Sequence, residues 1–137
     1  MHENSILTVK EIAEKIFKFT IYNPVIAKKG KPGQFVIVRL AQGGERIPLT
    51  IVDTDPQAGT LTLIVQQVGK STCLMCNLNA GDRIPDILGP LGNPSEIKNF
   101  GNVVVIGGGV GTAVSYPVAK ALKAAGNHVT TIFGART

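Results

Sequence analysis

A continuous β-branched run, Asn102-Val103-Val104-Val105-Ile106, opens directly into Gly107-Gly108-Gly109-Val110-Gly111-Thr112-Ala113, and this junction constrains the fold more than any other feature. An unbroken apolar run without alternation is expected where a strand is covered on both faces. Val110 to Ala125 follows at helical spacing, and Gly126-Asn127 supplies the glycine favoured just past a last turn. His128 to Phe133 reads as a second strand. Strand, glycine turn, helix and strand make one βαβ unit, whose two strands should run parallel. Such a unit cannot cover both faces of its sheet, and doubly wound domains carry about five or six strands. Residues 99–137 are therefore expected to be the first part of an α/β nucleotide-binding domain.

The pattern before Asn99 is different. Ile6 to Ile12 reads as a strand, and Phe17, Phe19 and Ile21 alternate with Lys18 and Thr20, the period of a half-buried strand. Asn23-Pro24 breaks that strand, and Lys31-Pro32-Gly33 turns the chain into Gln34 to Leu40. Gly43-Gly44 separates this run from Arg46 to Val52, and Asp55 to Gly59 turns into Thr60 to Val68. Ala80-Gly81-Asp82 leads to a last strand, Arg83 to Leu88. Short strands punctuated by Gly and Pro in this way argue for a barrel or sandwich over residues 1–98.

Composition narrows the function classes. The 137 residues are 44% hydrophobic and 17% charged, an ordinary globular balance. The net charge of +5 invites a nucleic-acid reading, but the lysines are scattered apart from Lys28, Lys29 and Lys31, and aromatics are only 5%. No nucleic-acid partner is expected. The run Val103 to Ile106 is too short to span a bilayer, and Met1 to Ser5 has no secretory pattern, so the expected compartment is cytoplasmic. Cys73 and Cys76 form one Cys-x-x-Cys with no second pair and no histidine at ligand spacing, so they read as small core residues and no metal is expected.

Three segments carry candidate chemistry. Glycines at Gly107 to Gly111 let a backbone approach a pyrophosphate at a helix N-terminus, or serve close strand–helix packing. The spacing departs from Gly-x-Gly-x-x-Gly, and no acidic residue follows about twenty positions on. Arg46-Ile47-Pro48-Leu49-Thr50 places a cation, a rigid ring and a hydroxyl on one strand, able to meet a phosphate and a flat ring, or simply solvated. Gly69-Lys70-Ser71-Thr72 opens a short helix, either as an anion site or as a plain N-cap. No Ser/His/Asp or paired-carboxylate arrangement suggests hydrolysis, so no catalytic acid or base is expected.

Taken in order, these segments resemble the ferredoxin–NADP reductase superfamily, in its branch of electron-transfer subunits. Pro32-Gly33-Gln34-Phe35, Arg46 to Thr50, Gly69 to Thr72, Gly89-Pro90-Leu91-Gly92 and Gly107 to Ala113 are the five matching stretches. The resemblance implies a six-stranded antiparallel Greek-key barrel carrying FAD, then an α/β domain for NAD(P)H, here only begun. It places Pro48, Leu49 and Thr50 at the flavin ring, Arg46 near the FAD phosphates, and Ile64, Val65 and Gln66 along the FAD. Ser71 and Thr72, with Gly69 and Lys70 backbone groups, would hold the pyrophosphate, and Gly108, Gly109, Val110 and Gly111 would receive the pyridine nucleotide. The implied activity is transfer of electrons between NAD(P)H and an iron–sulfur carrier through FAD. The implied partner is a larger iron–sulfur flavoprotein subunit, or a second copy. Two rival readings are a flavin- or nucleotide-binding module without turnover and a cofactor-free interaction barrel. The chain has Pro48-Leu49 where plant-type reductases stack an aromatic, and it lacks the branch's C-terminal cysteine cluster, so no [2Fe-2S] centre is expected in it.

Overall fold

The structure is a computed structural model that describes residues 2–136; Met1 and Thr137, the outer limits of the two expected domains, lie outside the described residues. Its strands are β1 (Ser5–Ala13), β2 (Ile16–Tyr22), β3 (Phe35–Arg39), β4 (Arg46–Thr50), β5 (Asp53–Asp55), β6 (Thr60–Gln66), β7 (Asp86–Leu91), β8 (Asn102–Gly108) and β9 (His128–Gly134). The helices are α1 (Pro24–Lys29), α2 (Lys70–Cys76) and α3 (Gly111–Ala124).

Seven strand segments make two antiparallel sheets, ordered β1-β2-β6-β5 and β4-β3-β7. Two junctions join them into one barrel. Between β4 and β5, the Ile51 amide donates to the Gln34 carbonyl beside β3, while the next amide, Val52, donates to Thr62 of β6. One strand thus passes from sheet to sheet, as the single run Arg46 to Val52 implied. On the opposite side the Ile6 amide donates to Asp82 and the Ile84 amide to Asn4, pairing the start of β1 with the approach to β7. Counted this way the barrel has six strands, and the last lies beside the third in Greek-key order.

Alternation builds the core. Phe19 and Ile21 of β2, Val36 and Val38 of β3, and Leu61, Leu63 and Val65 of β6 point inward, with Ile6, Ile26, Met75 and Ile84 among them. Asn23-Pro24 ends β2 as expected but also starts a helix. The Asn23 carboxamide oxygen accepts the Ile26 amide at 2.9 Å, and Pro24 occupies the first turn, where no N–H is needed. The Asn23 side-chain nitrogen donates to the Asn4 side chain at 2.8 Å, so this buried polar pair is paired rather than orphaned.

The βαβ unit forms as expected, with β8 and β9 parallel and α3 between them. One face of this small sheet is open, as expected of a unit that cannot cover both faces. The β8 run is not covered on both faces: Val104 is 60% and Ile106 70% exposed, while Val103 and Val105 are half-buried. Among the described residues, α3 is the element that packs on this sheet.

Asn127 is the polar centre of this unit. Its side-chain oxygen accepts the Phe100 and Gly101 amides at 2.6 and 3.0 Å. Its nitrogen donates to the Lys98 and Leu122 carbonyls at 2.9 and 2.8 Å. The side chain thereby clips the segment before β8 to the end of α3. Asn127→Ala is expected to destabilise the unit by about 1–2 kcal/mol, because it removes four hydrogen bonds to backbone groups, one of them buried. Hydrogen exchange should show Phe100 and Gly101 losing protection while β2 and β6 keep theirs; unchanged protection would refute the clip.

Cys76 belongs to the barrel core at 7% exposure, whereas Cys73 is half-buried. Burial, with smaller contributions from Cys73 and Glu11, pushes the Cys76 thiol up to about 11. At pH 8 only about one Cys76 in a thousand is then the reactive thiolate. Iodoacetamide at that pH should label Cys73 first and reach Cys76 only after unfolding, as read by peptide mass; equal labelling of the native chain would contradict this.

Candidate functional site

The alternation that fills the barrel also sorts its outer face. On β4, Ile47 is buried and Leu49 leans on the core, leaving Arg46 and Pro48 exposed and Thr50 half-buried beside them. On β6, Ile64 and Gln66 face outward, whereas the Val65 side chain is in the core, so only its backbone is available to a ligand.

Arg46 is poorly explained by the fold. It stands directly opposite Arg39 in the β3–β4 ladder, and facing like charges are unfavourable. Arg39 is neutralised by Asp86 at 3.2 Å, but Arg46 forms no ion pair among the described residues. An unpaired guanidinium here suits an incoming anion.

Gly69 to Thr72 adjoins this end of the barrel. The Thr72 hydroxyl oxygen accepts the Val68 and Gly69 amides at 3.0 and 2.9 Å, so it shapes the turn itself. Ser71 Oγ donates to Glu45 Oε2 at 2.5 Å, which brings α2 against the residue preceding Arg46. Two of the three expected segments thus meet. The amides of Lys70, Ser71 and Thr72 are first-turn groups without intrahelical partners, since Cys73 is the first to bond back, to Gly69. Glu45 escaped the sequence reading, because nothing marks one acidic residue after a Gly-Gly turn.

The third segment lies across a cleft. A cavity of about 510 Å³ opens between Ile16, Lys18, Thr62 and Ile64 on the barrel and Gly109, Val110 and Tyr116 on the α3 side. That volume falls within the roughly 300–1,000 Å³ of small-molecule sites. Lys18 and Ile64 are ladder partners, so period-2 alternation on β2 and β6 could have named Lys18 and Thr62 as cleft residues. Tyr116 carried no such mark.

The glycines separate packing from ligand approach. A Cβ on Gly107 would come within 3.0 Å of the Phe133 ring and 3.2 Å of Ser115 Oγ, so Gly107 serves strand–helix packing. Gly109 has φ +54° and its amide donates to Gly134 at 2.8 Å, so it serves the turn. Gly108 and Gly111 have neither reason: nothing lies within 4 Å of an added Cβ, and neither has a positive φ. Gly69 is the same, with open space beside it and an extended φ of −147°. Bare backbone thus faces open space at two loops, Gly69 beside Glu45 and Arg46 and the Gly108–Gly111 loop across the cleft, and both admit close approach of a ligand phosphate.

No family model matches the chain. It is 54% identical over 134 residues to the dihydroorotate dehydrogenase B (NAD(+)) electron transfer subunit homolog of Thermotoga maritima, covering 98% of this chain and 48% of that protein. The dihydroorotate dehydrogenase B (NAD(+)) electron transfer subunit of Geobacillus thermodenitrificans is 32% identical, over 97% of this chain and 54% of its own length. A solved structure of an NADH-dependent reduced ferredoxin-NADP oxidoreductase superposes with a TM-score of 0.97 and 52% identity, over 100% of this chain and 50% of that one. The chain spans about half the length of the curated relatives it matches. A barrel closed by strand exchange, a βαβ unit whose glycine loop faces it and this degree of identity agree: the chain has the ferredoxin reductase-like fold, and its close homologues include electron-transfer subunits.

Proposed function

We propose that the chain binds FAD on the outer face of the barrel, as part of an oxidoreductase that moves electrons between NAD(P)H and an iron–sulfur carrier. The observation that carries this reading is that Gly69, Gly108 and Gly111 have no internal reason to be glycine, and flank a face bearing an unpaired Arg46. The relatives' names, electron-transfer subunits and a ferredoxin-NADP oxidoreductase, agree with it. Residues 1–98 act in this reading as the FAD-binding domain and 99–137 as nucleotide-binding sequence.

The residues divide the work along one trough. Arg46 and the first-turn amides of Lys70, Ser71 and Thr72 hold the pyrophosphate, and the Gly69 backbone lets it approach. Glu45 gives up the Ser71 hydroxyl as the phosphate arrives. Pro48, the Leu49 backbone and Thr50 support the flavin ring, with Thr50 offering a hydroxyl at its polar edge. The backbone of Val65 and the side chains of Ile64 and Gln66 line the neighbouring strand. From Arg46 to Val52 the strand spans about 20 Å at about 3.3 Å per residue, enough for an extended dinucleotide. Gly108, Gly109, Val110 and Gly111 receive the pyridine nucleotide on the far side of the cleft. When bound, FAD supplies the chemistry, accepting a hydride and releasing electrons singly. The partner is a larger iron–sulfur flavoprotein subunit, with a second copy of this chain as the alternative.

The pyrophosphate cradle makes FAD the preferred flavin. Calorimetric titration should give clear binding of FAD and weaker binding of FMN, which lacks the pyrophosphate; preference for FMN would sink the assignment.

Arg46→Ala removes a charge-assisted contact worth about 1.5–3 kcal/mol. FAD should then bind about ten- to a hundredfold more weakly, while Lys29→Ala on α1 leaves affinity unchanged. Parent-like affinity in Arg46→Ala would remove the phosphate from that end of the trough.

A further inference from the structure

Among the described residues, one side-chain hydrogen bond joins the barrel strands to the βαβ unit: Lys120 Nζ of α3 donates to Asp53 Oδ1 of β5 at 3.1 Å. Its surroundings give it mechanical meaning. On one side lies the cleft of about 510 Å³, lined by Asp53 and Tyr116. On the other lies a cavity of about 280 Å³, lined by Asp53, Lys120, Ile51 and Pro117. Asp53 borders both, so the pair stands as a pillar between two gaps.

Both ends of the pillar are oriented. The same Asp53 oxygen accepts the Thr54 amide at 3.0 Å, which fixes the carboxylate on the barrel. Asp53 is also the ladder partner of Thr62, a cleft residue. Lys120 lies 5.9 Å above the ring of Tyr116, one helical turn earlier on the same face. The Asp53 hydrogen bond, more than its charge, raises the Lys120 ammonium above its usual range, so Lys120 stays cationic at neutral pH.

We propose that the Asp53–Lys120 pair is a positioning strut that fixes α3 against the barrel and so sets the width of the cleft between Tyr116 and the glycine loop on one side and Thr62 and Ile64 on the other. Both side chains are about half exposed, 57% for Lys120 and 43% for Asp53, so the strut is weak and reversible. An exposed pair of this kind shifts an equilibrium by no more than about fivefold, and salt screens it. It therefore tunes the cleft rather than holding the chain folded. Its effect on ligand affinity rests on the assignment of this cleft to the FAD site; its effect on geometry does not.

The test uses the full chain as parent, Asp53→Asn, Lys120→Met and the conservative Lys120→Arg. Without ligand, residual dipolar couplings measure the orientation of α3 against β2 and β6. Asp53→Asn and Lys120→Met should change that orientation or its spread, and Lys120→Arg should keep the parent values; parent-like couplings in the first two would overturn the strut. With FAD as the titrant, those two should bind about two- to fivefold more weakly, Lys120→Arg should match the parent, and high salt should bring the parent toward the broken variants. Altered orientation with unchanged FAD affinity would uphold the strut and overturn its effect on FAD binding. If Arg46→Ala and the parent both fail to bind FAD, the functional assignment falls, and the dipolar couplings alone decide the strut.

Discussion

Two consecutive amides, Ile51 and Val52, point to different sheets, and the rest of the molecule depends on that divergence. Ile51 donates to Gln34 and Val52 to Thr62, so one strand closes the barrel at its corner while both side chains remain buried. Without this exchange, β4 would end at an open sheet edge and its outer face would not continue into β5. With it, the outward residues of β4 run on into Asp53, and β6 returns antiparallel beside them. One continuous strip therefore carries Arg46 at one end and the cleft at the other. Barrel closure removes sheet edges as a structural necessity, and here it also lays out the binding face.

The charges and glycines on that strip follow from the same division between what folding requires and what it does not. Arg39 and Asp86 satisfy each other across the β3–β7 ladder. Arg46 faces Arg39 and has no such partner among the described residues. Gly107 and Gly109 are explained by the Phe133 ring and by a left-handed turn. Gly108, Gly111 and Gly69 are explained by neither, and a glycine without a steric role costs conformational entropy on folding. Features that folding does not explain are where sequences depart from local consistency, and such departures concentrate at functional sites.

Much of this was legible before the structure. Alternation on β2 and β6 follows from burial of one face, and the βαβ unit follows from its glycine junction, because both are local, periodic signals. Helix α1 was missed because Asn23-Pro24 was read only as a strand break; the same dipeptide is an N-cap followed by a first-turn proline. The split of the fourth strand was invisible, since nothing in Ile51-Val52 records that successive amides find different partners. Among site residues, the glycines, Arg46 and the Ser71-Thr72 turn were readable as motifs. Glu45, Asp53 and Lys120 were not, because each acts through a contact distant in sequence: 26 residues for Glu45 to Ser71 and 67 for Asp53 to Lys120.

The core has a further consequence for how the two sides of the cleft behave. Its buried cluster is drawn entirely from residues 6–84, with no contribution from β8, α3 or β9. The βαβ unit instead relies on half-buried valines, Ala119 and Leu122 beneath α3, and the four hydrogen bonds of Asn127. Stability in such a molecule is uneven, with the element poorest in buried apolar contacts opening first. Among the described residues, the barrel wall of the cleft is therefore the better packed, and the wall carrying Gly109, Val110 and Tyr116 rests on fewer buried apolar side chains.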